Sequence, residues 1–532
     1  MFVLTGDSDF EFLSVNTRWL FVRFSGTTLV REYNMVHPYF YLLLKIIQRQ
    51  IVMELKSKES EKTHLTAAAN IPASSTSPEF VTVGEAIERV GCGFGTILYA
   101  LGPYGVMITC GAEVSVMAIV SLMVRCEWEM STFSMSVLQI TGMVFNSIFS
   151  ICFSNLGDTL GRRPVLIVTT LVAMLAGLLS GMCTQLWQLL VCRAVIGAST
   201  GIGFGPAMAY ATEIPTIKYR ALSMASNGLG WGIGTAFSSI LAYLTLAPLG
   251  WRGLLIALAL SCSPFLIIVI LTRESPRYDV QVGKVSEAME TIEILSKLNC
   301  TGDKTENLSI TEDPHVEQEI STFCQSYQVI QESGYAHEFW ILVCVNFTSE
   351  FAYMCIIYAA PRFMNEGYCS SGTFTEEESC TFDNAVLFDL GVIGLAEPFS
   401  ILLALLFVNW IGRIKLTIFT SVFPTLLLFL LYICVGTDFI LAVLLITKGA
   451  LTVRSWLIFV IAGESFPTSV RSFTNCILGG CYSISSIAAS FAVHYAYEEN
   501  PIFVIVVMQG VLVITSVFAF CIKRETAGTL LE

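Results

Sequence analysis

The chain has 532 residues, of which 54% are apolar and only 13% charged, and its mean hydropathy is +0.69. A soluble globule carries roughly twice that share of charge, so a water-soluble domain is excluded. The net charge of −13 sits in loop acids such as Glu376-Glu377-Glu378 and Glu498-Glu499, and points to no nucleic-acid partner. The 17 cysteines are scattered without a CxxC pair and read as small packing residues, so neither a metal site nor a cofactor is implied.

In chain order, residues 1–80 read as a flexible cytoplasmic extension. Arg18, Arg23 and Arg31 interrupt its aromatics, so no cleavable signal peptide is apparent. Met53 begins a more ordinary leader, which marks 1–52 as an alternative start or an artefact. Residues 57–80 are rich in Ser, Thr, Ala, Glu and Pro, a composition that cannot bury a core.

From Ile97 onward apolar stretches recur, each long enough to cross a hydrocarbon layer of roughly 30 Å as a helix. Only helices satisfy the backbone there, because nothing else fills its hydrogen bonds in lipid. The expected spans are 97–124, 133–153, 164–184, 186–210, 222–246 and 253–272. A polar connector, 273–336, follows. Within it Ala288, Ile292 and Leu295 repeat at helical spacing, predicting a surface helix over Val285 to Leu298. The second set is 338–360, 384–408, 416–435, 438–462, 474–496 and 501–522. The expected fold is therefore an all-α membrane protein of twelve transmembrane helices. It divides into an extension (1–80), a six-helix bundle (81–272), the connector (273–336), a second bundle (337–522) and a tail (523–532).

The two bundles are written as copies. Gly157-Asp158-Thr159-Leu160-Gly161-Arg162-Arg163-Pro164 returns as Asn409-Trp410-Ile411-Gly412-Arg413-Ile414-Lys415. Gly161 to Gly412, Glu213 to Glu464 and Arg220 to Arg471 are each 251 positions apart, which implies a duplicated six-span unit. Asp158, Arg162 and Arg163 are expected to pair across the cytoplasmic face as a gate, with Gly161 permitting the tight turn. The plainer alternative is that the two arginines only anchor topology. Asn409 stands where the second copy needs an acid, so the latch of Gly412 and Arg413 is expected to be weaker. Glu213 with Arg220, and Glu464 with Arg471, read as structural ion pairs at the same rim. Gly197, Gly201, Gly203 and Gly205 in span four, and Gly228, Gly230, Gly232 and Gly234 in span five, suit close helix packing and rocking.

With the N-terminus inside, the inward segments hold fourteen Lys and Arg: residues 162, 163, 218, 220, 273, 277, 284, 297, 304, 413, 415, 471, 523 and 524. The outward loops hold three, Arg125, Arg252 and Arg362, a bias that places both termini in the cytoplasm. The sequons at Asn299 and Asn307 then lie inside, where they go unglycosylated. Cys369 and Cys380 share one outward loop, where a bridge between them and free thiols are equally open readings.

Ionised groups inside spans cost about 2.5–3.5 kcal/mol each on insertion scales and need a partner or a water-filled cavity. The candidates are Glu113, Arg193, Glu350, Asp389, Glu397, Lys448 and Arg454. Either they line a transport path or they pair as buried structural charges. Asp389 and Glu397 are eight residues apart, about 80° around a helix, so both can face one cavity, with Lys448 and Arg454 as counter-charges. The alternative for Asp389 and Lys448 is simple solvation near the outer boundary.

These loop motifs resemble the major facilitator superfamily and, within it, the synaptic vesicle 2-related group. Supporting matches are Thr82-Val83-Gly84-Glu85-Ala86, Cys126-Glu127-Trp128, Gly250-Trp251-Arg252, Glu274-Ser275-Pro276-Arg277-Tyr278-Asp279-Val280 and Glu525-Thr526-Ala527-Gly528. The resemblance implies the major facilitator fold with a central cavity, kinship with organic ion carriers, residence in synaptic or other vesicle membranes, and an attributed nucleotide binding. The group's first-span acid pair appears here as Cys110-Gly111-Ala112-Glu113, losing the acid linked to proton coupling. Glu350 and Arg454 stand where the group has small residues.

Two functions follow from this pattern. One is a secondary carrier or facilitator of a small organic ion, its partners being the lipid bilayer and that ion. The other is a vesicle membrane protein that keeps a carrier fold but binds ligand or nucleotide, or serves trafficking. No GxxxxGK[ST] loop supports an ATP-driven pump, and the five histidines pair with no nucleophile for hydrolysis. The charge of the cargo stays open. Glu113, Asp389 and Glu397 favour a cation; Arg193, Lys448 and Arg454 suit an anion.

Overall fold

The computed structural model describes residues 11–16, 19–24, 27–32, 79–153, 156–301, 308–310, 323–365, 382–433, 436–466 and 468–522. Where a flexible extension was expected, residues 11–32 form a three-stranded antiparallel sheet of β1 (Glu11–Asn16), β2 (Trp19–Phe24) and β3 (Thr27–Glu32). The run Trp19-Leu20-Phe21-Val22 is rich in aromatic and aliphatic strand formers, which override the polar composition further along. This unit, Met1–Ser77, is separate from the compact unit Pro78–Glu532.

The larger unit begins with β4 (Glu79–Val81), which pairs in parallel with β5 (Leu308–Ile310) of the connector. Helix α1 (Val83–Val90) follows. Thr82 and Glu85 close a reciprocal capping box on it, the Thr82 hydroxyl accepting at 3.3 Å and the Glu85 carboxylate at 3.1 Å. The first bundle then runs through α2 (Phe94–Glu127), α3 (Thr132–Cys152), the short α4 (Leu156–Leu160), α5 (Arg162–Ser180), α6 (Leu186–Glu213), α7 (Ile217–Ser261) and α8 (Ser263–Leu271). The connector contributes α9 (Pro276–Gln281), α10 (Val285–Leu298) and α11 (Phe323–Glu332). The second bundle holds α12 (Ala336–Asn365), α13 (Asn384–Ile411), α14 (Arg413–Leu428), α15 (Thr437–Ser465), α16 (Thr468–Glu499) and α17 (Pro501–Phe520).

Among the described residues, eleven helical stretches are long and apolar enough to cross a membrane. One of them, Gly228–Leu271, has 44 residues and is broken at Gly250, where φ is +65°. At about 1.5 Å per residue it is twice the length one crossing needs, so the eleven stretches make the expected twelve crossings.

The connector helix falls at Val285–Leu298 as expected, with Ala288, Ile292 and Leu295 buried. That apolar stripe packs with Ala86, Ile87 and Val90 of α1 under the first bundle. Asn299 explains the tight join. Its Oδ1 accepts from the backbone of Gly95 at 2.8 Å and Thr96 at 3.3 Å, and its Nδ2 donates to Gly91 O at 3.2 Å. Its side chain is thus a helix-start clamp; Asn307 lies outside the described residues.

The apolar core shows how the two bundles meet. On the side of Glu127 and Arg252 one cluster is continuous across both, joining Val116, Val120 and Leu138 to Tyr353, Ile357, Phe363 and Val493. On the side of Arg162 and Arg413 the core is divided. Leu166, Tyr210 and Val269 belong to one cluster, and Val345, Ile458 and Phe466 to another. The structure is therefore sealed on one face and split on the other.

Candidate functional site

The duplicated loops fold as duplicates. Gly161 has φ +99° and Gly412 φ +93°, and both sit at the start of a helix where a side chain would be strained. Behind each glycine an arginine meets a distant acid. Arg162 reaches Glu213 at 3.0 Å, and Arg413 reaches Glu464 at 3.2 Å. The expected pairing of each acid with an arginine seven residues on falls outside the described residues, which do not include the side chains of Arg220 and Arg471. The rim thus brings together helix ends that are 51 residues apart.

Arg162 also holds Asp158 at 2.9 Å, one helical turn away. Arg163 donates to the backbone carbonyls of Val269 at 3.3 Å and Ile270 at 2.8 Å, while its own N–H is received by Glu274 at 3.1 Å. Tyr278 of the same connector motif donates to Thr159 O at 3.2 Å and lies under the Arg162 guanidinium. All of these contacts stay within the first bundle and the connector. Among the described residues, none of these contacts of Asp158, Arg162 and Arg163 crosses to the second bundle, and it is the opposite face that is closed.

That opposite face carries the contacts between bundles. Gln139 of α3 accepts from Ser490 at 3.1 Å and meets His494 Nε2 at 2.8 Å, both on α16. Arg125 lies 3.7 Å from Glu498, whose carboxylate also accepts from Thr132. Within the first bundle, Glu127 receives Trp251 Nε1 at 2.6 Å and both guanidinium nitrogens of Arg252 at 2.7 and 3.1 Å. The Cys126-Glu127-Trp128 and Gly250-Trp251-Arg252 motifs thus form one clasp. Cys126 is disulfide-bonded, while the Cys369 and Cys380 expectation lies outside the described residues.

Between the two faces lies a layer of buried charge. Glu397 of α13 is fully buried. Its Oε1 takes Lys448 of α15 at 2.7 Å and Thr235 of α7 at 2.9 Å, and its Oε2 takes Tyr353 of α12 at 2.9 Å. Trp231 of α7 donates to the Tyr353 hydroxyl at 2.7 Å. Four helices from both bundles therefore converge on one carboxylate. Glycine makes the approach possible, since an added Cβ at Gly232 would sit 2.8 Å from Glu397 Cβ. Lys448 is buried rather than solvated, which removes one of the alternatives for it.

Arg193 of α6 pairs with Glu113 of α2 and donates to Ser180 Oγ at 2.9 Å, so that pair is closed within the first bundle. Asp389 does not join Glu397. The helix rise of about 12 Å over eight residues carries it toward the end of the helix far from Gly412, where it is half-buried and senses Asp438. Glu350 of α12 is buried and faces Ser455 and Arg454 of α15. Arg454 is 0% exposed, and none of its three guanidinium nitrogens has a hydrogen-bond partner among the described residues. Sequence reasoning missed Tyr353, Thr235 and Trp231 as parts of this layer. Their only signal is a polar tip on an otherwise apolar span. Beside it a small cavity opens between the bundles, lined by Ser115, Ser239, Pro361, Ile393 and Lys448.

Two repeated six-helix bundles, sealed on one face and sharing a buried ionic layer, define a polytopic membrane protein of carrier architecture. The family described as sugar (and other) transporter matches residues 84–532, and the chain belongs to it. The synaptic vesicle 2-related protein of Bos taurus is 24% identical over 491 residues, covering 89% of this chain and 86% of the bovine protein. The Xenopus laevis protein of the same name is 23% identical, covering 89% and 87%. Among solved structures, the partially occluded inward open xylose transporter XylE from E. coli matches with a TM-score of 0.61 at 16% identity, covering 84% of this chain and all of XylE. The inward open XylE structure matches at 0.62 and 14% identity, covering 82% and 97%. The fold is that of the major facilitator superfamily.

Proposed function

We propose that the protein is a secondary carrier or facilitator that moves a small organic ion by alternating access, and that it does so in a vesicle membrane. The observation that carries this reading is the Glu397 layer. An acid in the membrane interior is costly, and a merely structural one needs no donors from two independently moving bundles. Here Thr235 comes from one bundle and Tyr353 and Lys448 from the other, so rocking the bundles apart must break and remake the site. The sealed face of Gln139, Ser490 and His494 and the split face of Arg162 and Arg413 are the two gates, opened in turn. In the reverse state the Asp158, Arg162 and Arg163 loop meets the second bundle.

The name shared by the vertebrate relatives supports the vesicle assignment, and the inward bias of Lys and Arg supports cytoplasmic termini. Purified protein in proteoliposomes is the test, with a panel of labelled organic cations, organic anions, sugars and a nucleotide. Flux of one class, lost in Glu397→Gln while the protein remains folded, supports the reading. Absence of flux for every class, with ligand binding unchanged in Glu397→Gln, overturns it in favour of a non-transporting binding protein. Cysteine labelling next to Arg163 and Lys415 checks orientation, since both must react from one side.

A further inference from the structure

Three of the acids in the spans are already matched or remote. Glu113 is held by Arg193, Glu397 by Lys448, Thr235 and Tyr353, and Asp389 stands apart near Asp438. Arg454 is different. Two nitrogens of Arg193 are engaged, whereas all three of Arg454 are without a hydrogen-bond partner among the described residues, at 0% exposure. A guanidinium stays protonated and presents five N–H donors in one plane. Buried donors left unmet are costly, and more so when they carry charge.

Glu350 supplies a compensating field to Arg454 without occupying its fork. A second unmet polar group lies on helix α16, which packs against α15. The Tyr482 hydroxyl of α16 is buried, lacks a hydrogen-bond partner among the described residues, and senses Glu350. The Tyr482 ring stands edge-on to Trp231 of the other bundle at 5.6 Å, so this pair lies where the bundles meet. The neighbourhood thus combines a planar cationic fork, a phenol donor and aromatic walls.

We propose that Arg454 anchors the carboxylate of a small organic monoanion, which is the cargo. This rests on the carrier reading given above. Two parallel N–H···O bonds match the two oxygens of a carboxylate, a geometry that an ammonium group does not offer. Glu350 sets the upper limit of charge, because a dianion places a second negative charge against its carboxylate. Organic cations are repelled by the guanidinium, and neutral sugars leave its charge unmatched. Tyr482 donates to a second oxygen of the cargo, and its ring with that of Trp231 packs the apolar body.

The test uses the full chain with benzoate, nicotinate and lactate, each beside its uncharged amide, together with phenyl phosphate, tetraethylammonium and D-xylose. Thermal shift of the purified protein measures binding, and proteoliposome uptake measures transport. At least one carboxylate is expected to bind and move while its amide does neither. Arg454→Gln is expected to weaken that carboxylate about 100-fold, Arg454→Lys about 10-fold, and Tyr482→Phe less. Equal binding of acid and amide, binding of none of the three acids, or full carboxylate affinity in Arg454→Gln overturns the proposal.

Uptake of tetraethylammonium or xylose that survives Arg454→Gln sinks the anion assignment and leaves the carrier reading standing. Absence of uptake for every probe removes both. If Arg454→Gln does not fold, the double variant Arg454→Gln/Glu350→Gln, which removes both buried charges together, takes its place. If that fails too, the contrast of acid and amide on the unaltered protein decides.

Discussion

In the first bundle Gly161 turns at φ +99° and Arg162 meets Glu213 at 3.0 Å; in the second, Gly412 turns at φ +93° and Arg413 meets Glu464 at 3.2 Å. The interiors do not repeat in this way. Glu113 and Arg193 pair inside the first bundle, but 251 positions on stand Met364 and Leu444, and the buried charges of the second bundle sit elsewhere. The difference separates two roles of the same fold. The rim skeleton holds helix ends in place in both copies, whereas the interior of the second bundle carries charges of its own. There Glu397 and Lys448 bind to each other, and Arg454 keeps its donors unmet among the described residues.

The largest expected effect tests the closed pair of the second bundle. Lys448→Leu leaves Glu397 buried without its cation and is expected to cost about 3–5 kcal/mol. The double variant Lys448→Leu/Glu397→Gln is expected to recover most of that loss in thermal unfolding. Equal instability of the single and double variants would show that the pair is not the source.

Next comes the sealed face. Gln139→Leu strands His494 and Ser490 and is expected to cost about 1–3 kcal/mol. It also shifts the population toward opening on that face, readable as faster labelling of a cysteine placed at Ser115. Unchanged labelling argues that the apolar seal alone holds the face shut.

The repeat itself is probed by Gly161→Ala and Gly412→Ala. Each forces a side chain into the left-handed region, an expected cost of about 1–2 kcal/mol. At Gly161 the added Cβ also meets Glu274 and lies 3.2 Å from Tyr278, which adds to the cost there. A harmless Gly161→Ala would break the equivalence of the two loops.

The smallest effect is local and depends on pH. Burial first, then the carboxylates of Glu274 and Glu287, push Asp279 of the connector up from 3.8 to about 7. Its folded form therefore holds a proton that the unfolded form releases near pH 4. The stability this contributes is fully present below that point and is lost as pH rises through about 7. Hydrogen exchange over residues 276–298 should quicken between pH 6 and pH 8, and Asp279→Asn should remove the change. Exchange that does not vary with pH in the unaltered protein contradicts the assignment.

Much of this architecture was legible in residues alone, and the failures share one cause. The twelve crossings, the gap between spans five and six, the turn at Gly161 and the stripe of Ala288, Ile292 and Leu295 are written in local composition and spacing. The strands over 11–32 were missed because a polar, Ser- and Thr-rich segment further along coloured the reading of the whole extension. Pairing was read less well. The contact of Glu213 with Arg162 was not foreseen, and Asp389 was grouped with Glu397, although among the described residues it is Lys448, Thr235 and Tyr353 that reach that carboxylate.

The sequence by itself determined that this chain lives in a bilayer as two copies of six helices, because span length, hydropathy and a repeat offset depend only on order along the chain. Which charges meet was decided by tertiary structure alone. The electrostatic energy of a buried group depends on which helices become its neighbours, and those neighbours come from both bundles. Only the folded molecule could show that, among the described residues, Glu397 meets three donors while Arg454, six residues beyond Lys448 on the same helix, meets none.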